Sequence, residues 1–378
     1  MMIPSQRHLF DIPEDVAYFN CAYMSPLSHV ALAAGDMGLR RKYNPWKMFP
    51  ADFFTESEAT RAVFASMINA SADDIAIVPA ASYGTAIASA NIPLASGQNI
   101  VLLDEQFPSN VYPWFEQAKA ASAEIITIAR PIDDQWTPLI LDAINDKTGI
   151  VALPHCHWTD GGLIDLVAVG KRCREVGAAL VIDATQSLGV LPFDVQAIQP
   201  DFMVAATYKW LMGPYTMGFC YVAPKWHDGR PLEEGWIQRG GSEDFSGLVD
   251  YREDYQAGAR RYDMGERANF ALMPVAKAAL DMIMDWGVEK IQATLRSRTN
   301  TIAEHAKALG LGSIDPDLRA GHFLGLRFPK GVPDGLAAKM ADNNVFVSVR
   351  GPAMRITPHV FNTDADVDKL FAVLEQEI

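Results

Sequence analysis

Cysteine is scarce in this chain, which has four cysteines among 378 residues, at positions 21, 156, 173 and 220. They form no CxxC pair and are too few for a disulfide framework in a chain of this length, so we expect reduced thiols. Cys156 stands between His155 and His157. Side chains at i and i+2 share one face of a strand, but a metal site needs three or four converging ligands. The sequence therefore predicts no metal site.

Positive charge and long apolar runs are also in short supply. The chain has 32 Lys and Arg against 46 Asp and Glu, a net charge of −14, whereas a nucleic-acid partner requires a basic face. No apolar run is long enough to span a bilayer, and the first residues lack the charged-then-apolar pattern of a secretory signal. We therefore expect a soluble cytoplasmic protein with neither a nucleic-acid nor a membrane partner.

Apolar runs alternate with helical patterns through the first part of the chain. They predict strands at 75–79, 99–103, 124–128, 149–153, 179–183, 202–206 and 217–222. Seven strands with intervening helices indicate an α/β fold, with a mostly parallel sheet covered by helices on both faces. After residue 265 the pattern becomes helical and then mixed. We therefore predict a large domain at 18–265 and a smaller α+β domain at 266–378.

Two charged residues follow buried strands of this predicted sheet. Lys209 comes after the run 202–206, and Asp183 ends the run 179–183. A lysine at such a position can lose its hydration and its proton, which makes Lys209 a candidate for an imine with an aldehyde. The carboxylate of Asp183 could keep a pyridine nitrogen protonated and so make the ring an electron sink. Ligands collect beyond the carboxyl ends of such strands, so the pair predicts a pyridoxal phosphate enzyme with Lys209 and Asp183 as catalytic residues.

A phosphate site should lie at the start of a helix, where free N–H groups and the helix dipole favour an anion. Ser82, Tyr83, Gly84 and Thr85 follow a predicted strand and open a helical pattern. Gly84 would allow close approach, and Thr85 offers a hydroxyl group. An ordinary helix cap explains the same four residues equally well.

The segments DATQSLGVLPFDV (183–195) and TYKWLMGPYTMGF (207–219) resemble the class V aminotransferase family of fold-type I pyridoxal phosphate enzymes. This family includes cysteine desulfurases, kynureninases and isopenicillin N epimerase-like proteins, and the resemblance covers nearly the whole chain. It implies that Asp183 contacts the pyridinium nitrogen, Gln186 the phenolic oxygen of the ring, Lys209 the aldehyde and Tyr208 the phosphate. It also implies that residues 1–17 pack on the small domain and that the site closes between the two domains.

Other segments resemble further parts of the family's cofactor site. In SYGTA (82–86), the backbone of Tyr83 and Gly84 and the side chain of Thr85 would hold the phosphate. EQFPSNVYPW (105–114) looks like the ring-stacking loop, with Phe107 as the stacking face.

A homodimer with active sites at the subunit interface is implied by two segments similar to kynureninase. EGWIQRGG (234–241) and DMGERANF (263–270) look like segments that reach the neighbour's phosphate, through Trp236 and Asn269.

The substrate residues are also assigned by resemblance. Arg355 in MRITPHVFNT (354–363) matches the arginine that grips a substrate α-carboxylate, with Arg350 as a nearby competitor. Trp158 lies where kynureninases have a tyrosine, and Asn110 replaces their aspartate. Tyr23 would line the substrate cleft, although it could equally be a packing aromatic.

The family runs several reactions from the same first steps, so we consider four functions. Transamination of an α-amino acid through its imine with the cofactor is the leading one. A β-eliminating C–S lyase is the nearest alternative, and an amino-acid epimerase comes third. Desulfurase chemistry is disfavoured because SVRGPAMRITPH (348–359) contains no cysteine, and kynureninase chemistry because of Trp158 and Asn110. A catalytically silent scaffold is the alternative outside enzymology.

Overall fold

The computed structural model describes residues 2–378, which form twelve strands and eleven α-helices. The strands are β1 (Ala17–Tyr18), β2 (Ile75–Val78), β3 (Asn99–Leu103), β4 (Glu124–Ile128), β5 (Thr148–Pro154), β6 (Ala179–Asp183), β7 (Phe202–Ala206), β8 (Gly218–Val222), β9 (Leu324–Arg327), β10 (Val345–Phe346), β11 (Ser348–Arg350) and β12 (Ala353–Ile356). The helices are α1 (His29–Arg41), α2 (Thr55–Met67), α3 (Ala81–Asn91), α4 (Tyr112–Ala121), α5 (Trp136–Ala143), α6 (Leu166–Val176), α7 (Val195–Ile198), α8 (Leu272–Trp286), α9 (Val288–Ala308), α10 (Leu336–Asp342) and α11 (Asp364–Glu377). None of these helices is long and apolar enough to cross a membrane.

Seven strands form one sheet in the order β2-β8-β7-β6-β5-β3-β4. Strand β8 runs antiparallel to its two neighbours, and the other pairs are parallel. Every residue of β5, β6 and β7 is buried, as expected for strands covered on both faces. The predicted α/β fold with a mostly parallel seven-stranded sheet is confirmed, and each predicted strand end lies within one residue of the observed one.

Helices cover both faces of this sheet. On one face Ile87 of α3 and Trp114 of α4 pack with the strands, and on the other Phe64 of α2 and Val169 of α6 do so. Helix α3 lies close to the sheet because a Cβ atom at Gly84 would stand only 2.7 Å from Cγ2 of Val204. Gly84 therefore permits the close approach of α3 to β7, whereas the sequence had suggested the approach of a phosphate.

The C-terminal part has a second, three-stranded antiparallel sheet in the order β11-β12-β9. The N-terminal residues pack here, because β1 pairs in parallel with β10, and Ala17 and Phe19 share a core with Leu324 and Leu374. Helix α8, by contrast, contributes to the core beneath the large sheet. The division at 1–17, 18–265 and 266–378 remains a prediction.

Candidate active site

A cavity of about 330 Å³ lies at the carboxyl-terminal edge of the large sheet, where β5, β6 and β7 end at Pro154, Asp183 and Ala206. Parallel strands bring their carboxyl ends to the same edge, which explains why residues distant in sequence meet there. Eight predicted site residues line the cavity: Ser82, Phe107, Asn110, Trp158, Asp183, Gln186, Tyr208 and Lys209.

Lys209 is held by a tight turn after β7, in which the N–H of Gly213 donates to the carbonyl of Thr207 and that of Met212 to the carbonyl of Lys209. Its side chain is 7% exposed. Burial lowers the pKa of Lys209 to about 8; the carboxylate of Asp183 opposes this decrease, and the guanidinium groups of Arg355 and Arg350 add to it. This decrease brings the amine closer to its neutral form near pH 7, in which it can act as a nucleophile or base.

Asp183 is also buried, and one of its carboxylate oxygens, Oδ1, accepts a hydrogen bond from the N–H of Thr185 at 3.0 Å. Gln186 follows in the same turn, and its Nε2 donates to the carbonyl of Ala22 at 3.0 Å. The chain just before α1 thus contacts the predicted cofactor site directly.

The cavity walls are largely aromatic. The Nζ atom of Lys209 lies 5.3 Å from the ring centroid of Phe107 and 5.6 Å from that of Tyr208. Trp158 packs edge-on against Phe107, with ring centroids 5.4 Å apart, and its indole N–H donates to the carbonyl of Glu105. Burial raises the pKa of Tyr208 to about 12, with Tyr215 and Asp183 adding to the increase, so its phenol is a neutral donor near pH 7.

Asn110 carries the clearest unsatisfied group in the cavity. Its side-chain oxygen accepts a hydrogen bond from the indole of Trp114 at 3.2 Å, whereas its Nδ2 group is buried and has no partner among residues 2–378. A buried amide donor without a partner costs about 1–3 kcal/mol, which a ligand acceptor would recover.

Arg355 lies behind Trp158 and is only 2% exposed. Its Nε donates to Oγ of Ser348 at 2.8 Å and its Nη1 to the carbonyl of Trp158 at 3.1 Å. Within residues 2–378 it has no carboxylate partner, and burial, followed by the charge of Arg350, lowers the pKa of Arg355 to about 9. Such an arginine is suited to binding an anion that enters the site.

The Ser82–Thr85 segment begins α3, and only Ser82 of the four residues lines the cavity. The Thr85 hydroxyl is 3.0 Å from the carbonyl of Ser82 and 3.1 Å from that of Ser109, so it ties the helix to the Phe107 loop. Tyr83 is half-buried against the sheet, and Gly84 faces Val204. The helix start, rather than these side chains, is what faces the cavity.

Three predicted residues lie elsewhere. Trp236 and Asn269 line a separate cavity of about 370 Å³, and Trp236 is 41% exposed. Tyr23 is 54% exposed and does not line the main cavity.

The His155-Cys156-His157 segment has a packing role. His157 stacks on Trp136 with ring centroids 5.1 Å apart, and His155 packs edge-on against Phe193. Cys156 donates through its Sγ to the carbonyl of Gln186. In the part of the chain that the structure describes, no group of three His, Cys, Asp or Glu side chains could hold a metal ion.

Comparison with known proteins identifies the family. The model of the family described as Aminotransferase class-V matches residues 46–370. The chain belongs to the class V aminotransferase family. It is 27% identical to the uncharacterized aminotransferase YcbU of Bacillus subtilis, over 82% of this chain and 81% of that protein. It is 25% identical to a probable cysteine desulfurase of Pyrococcus abyssi, over 84% and 82% of the two chains.

The class V fold is shared with solved structures. A variant of C-DES with glycine covalently linked to its PLP cofactor has a TM-score of 0.87 and 18% identity, over 99% of this chain and all of that one. This likeness confirms the fold-type I architecture. The class V family uses pyridoxal phosphate, which is therefore the cofactor of this enzyme.

The cavity fits this cofactor. Lys209 offers a buried amine for the aldehyde, Asp183 a buried carboxylate for the pyridine nitrogen, and Phe107 an aromatic face. The start of α3, at Ala81 and Ser82, lies at the cavity wall, where helix N–H groups suit a phosphate.

Several lining residues were not predicted from the sequence. They are Gln106, Ser109, Thr185, Tyr215 and Thr216. Each lies inside a segment already matched to the class V family, so a search of those segments for every hydroxyl and amide would have found them.

Proposed function

We propose that this enzyme is an aminotransferase that acts on an α-amino acid. The proposal is based on two buried cationic side chains, Lys209 and Arg355. Within residues 2–378, Asp183 is the carboxylate that acts on the pKa of Lys209, and none acts on that of Arg355. An α-amino acid brings a carboxylate for Arg355 and a Cα proton for Lys209. The fork of a guanidinium group is the donor best matched to a carboxylate.

The cofactor contacts are proposed from the resemblance to the class V family and from the residues that line the cavity. Asp183 holds the ring nitrogen, Gln186 donates to the ring oxygen, and Phe107 stacks on the ring. Tyr208 and the start of α3 bind the phosphate. The free Nδ2 of Asn110 donates to an acceptor on the substrate or cofactor. Bound pyridoxal phosphate supplies an electron sink for the bond that breaks at Cα.

Lys209 moves the proton. Its Nζ atom, with a pKa of about 8, would accept the proton from Cα of the substrate and hold it during transfer of the amino group. Phe107 lies over this amine and Trp158 packs against Phe107, so the two rings form an apolar wall beside it. Trp158, which lines the cavity, contacts the substrate side chain.

Transamination is preferred to desulfuration because the chain offers no reactive thiol. All four cysteines are buried and free, and none lines the cavity. Burial raises the pKa of the Cys173 and Cys220 thiols to about 12 and that of Cys21 and Cys156 further still. A persulfide carrier must be an accessible thiolate at neutral pH.

We also propose that the enzyme is a homodimer. Phe53 contacts the rings of Trp236, Phe245 and Phe270, with centroids 5.1–6.2 Å apart, and this aromatic cluster adjoins Leu39 at the cavity of Trp236 and Asn269. Next to it lies an apolar surface of exposed side chains on α1 and the following loop: Met37, Leu39, Tyr43, Trp46 and Phe49. Large exposed apolar side chains grouped in one segment of the chain, as here, are typical of a subunit interface.

The reaction is tested by incubating the pyridoxal phosphate-loaded enzyme with single L-amino acids, with and without a ketoacid acceptor. A new ketoacid that accumulates only with the acceptor supports transamination. Pyruvate and ammonia without an acceptor would contradict it and favour β-elimination. Loss of optical activity without a new product would favour epimerisation, and no reaction at all would favour a scaffold. Lys209→Ala, which removes the proposed base, is the matched control.

A further inference from the structure

Gln186 has both ends of its side-chain amide fixed. Its Oε1 accepts a hydrogen bond from the indole Nε1 of Trp210 at 2.9 Å, and its Nε2 donates to the carbonyl of Ala22 at 3.0 Å. All of these groups are buried, and Trp210 is fully so. Gln186 also lines the active-site cavity. Since an amide carries two N–H groups and Ala22 uses one, the second is left for a ligand.

The two partners allow only one orientation of this amide. An indole nitrogen can only donate, and a main-chain carbonyl can only accept. A flipped Gln186 would face N–H with N–H at Trp210 and oxygen with oxygen at Ala22. Both contacts would then be lost in a buried environment, where each unsatisfied group is costly.

The main chain of Gln186 is fixed as well. Its carbonyl accepts from Nε2 of His322 at 2.7 Å and from Sγ of Cys156 at 3.4 Å. A carbonyl needs a donor, so His322 carries its proton on Nε2. Trp210 packs edge-on against His322, with ring centroids 4.5 Å apart.

We infer that Trp210 is a positioning residue, which fixes the amide of Gln186 so that its free N–H points to the ring oxygen of pyridoxal phosphate. The inference rests on the role proposed for Gln186. Its basis is the geometry of Trp210, Gln186 and Ala22, three residues from separate segments that meet at one amide.

The first test needs no cofactor. In enzyme labelled with ¹⁵N in glutamine side chains, the Gln186 amide signals are identified by their absence in Gln186→Ala. Trp210→Phe should make these amide protons exchange with solvent at least tenfold faster, since one hydrogen bond of about 1.4 kcal/mol corresponds to tenfold. Unchanged exchange in Trp210→Phe would overturn the inference.

The second test follows the visible absorbance band of the loaded enzyme as a function of pH. Negative charge on the ring oxygen of the cofactor favours the protonated form, which absorbs visible light. A hydrogen-bond donor to this oxygen draws that charge away, so loss of the donor should raise the pH at the midpoint of the absorbance change. Trp210→Phe should raise it by about half to one pH unit, and Gln186→Ala by at least as much. The double variant should match Gln186→Ala alone, because Trp210 acts through Gln186.

Two further variants make the outcomes distinct. Trp226→Phe is a matched control, since it removes an indole bond to Asp201 away from the cavity and should leave the midpoint unchanged. Trp210→His retains a ring N–H and should lie closer to wild type than Trp210→Phe. A midpoint that moves in Gln186→Ala but not in Trp210→Phe or Trp210→His overturns the role of Trp210. If the midpoint moves in none of the Gln186 and Trp210 variants although amide exchange is faster in Trp210→Phe, the proposed role of Gln186 is overturned. The hydrogen bond by which Trp210 fixes the Gln186 amide would still stand.

Discussion

Arg355 donates a hydrogen bond to the carbonyl of Trp158, and its guanidinium carbon lies 5.8 Å from the centroid of the same tryptophan ring. One residue therefore supplies both a main-chain acceptor and an aromatic face to the arginine. Trp158 itself packs against Phe107, next to the amine of Lys209. The proposed carboxylate site and the proposed cofactor site share this wall.

Arg355→Leu should weaken the binding of α-amino acids, because the substrate carboxylate loses its bidentate donor. We expect a loss of about 2–5 kcal/mol, which is at least thirtyfold in the dissociation constant. The measurement is a spectral titration of the loaded enzyme with the best substrate. Arg355→Lys keeps the charge without the fork and should recover only part of the affinity. If Arg350→Leu alone weakens binding, then Arg350 holds the carboxylate and the assignment is wrong.

Lys209→Met should stabilise the cofactor-free enzyme near neutral pH. The pKa of Lys209 falls from its usual 10.5 to about 8 on folding, so the charged lysine destabilises the fold at and below pH 8. This cost disappears as the pH rises to 10.5, because the unfolded chain then loses its proton too. We expect a gain of about 1–3 kcal/mol in the free energy of unfolding at pH 7, smaller at pH 10.

Urea denaturation of both proteins at the two pH values measures this gain. Lys171→Met is a matched control, since this lysine is exposed. A Lys209→Met enzyme less stable than wild type at pH 7 would show that the amine makes favourable contacts that outweigh its burial.

The sequence predicted the strands well because the large sheet consists of short apolar runs, most of them separated by a helix. Such runs are local signals, and the residue after each run is placed by the strand itself. Lys209 and Asp183 were found in this way. Both lie at strand ends that form part of the cavity.

The contacts of the predicted phosphate segment could not be read from local pattern. The sequence shows that residue 84 is a glycine, but it does not show which neighbour this glycine approaches. In the fold that neighbour is Val204. The two hydrogen bonds of the Gln186 amide likewise join residues 22, 186 and 210, which lie too far apart in the sequence for a helix or strand pattern to connect them. Contacts of this kind depend on tertiary packing alone.

Trp46→Glu should convert the proposed homodimer to monomers. Trp46 is 73% exposed in one chain and belongs to the apolar surface next to the aromatic cluster, so a buried charge there would oppose association. Sedimentation equilibrium measures the change, with a rise in dissociation constant of at least tenfold, about 1.4 kcal/mol, as the expected result. Ile132→Glu, at a fully exposed residue outside this surface, is the control. A wild-type enzyme that is monomeric at micromolar concentration would contradict the proposal.

His359→Leu should make the enzyme more resistant to acid. His359 is fully buried near Trp210, Trp286 and Phe361, and in the part of the chain that the structure describes neither ring nitrogen has a hydrogen-bond partner. Burial lowers the pKa of His359 from 6.5 to about 3, so the unfolded chain binds a proton that the folded chain does not. Stability is then lost as the pH falls below 6.5, by about 2 kcal/mol from this residue at pH 5.

Leucine has a similar volume and no ring nitrogens to leave unsatisfied, so the variant should be at least as stable as wild type at pH 7 and should lose less stability at pH 5. Urea denaturation at the two pH values measures both quantities. His8→Leu, at an exposed histidine, should leave the pH dependence nearly unchanged. Equal losses on acidification in wild type and His359→Leu would mean that His359 does not resist protonation. The acid sensitivity would then have to come from His155 and His322, whose pKa values burial also lowers, to about 4 and about 3.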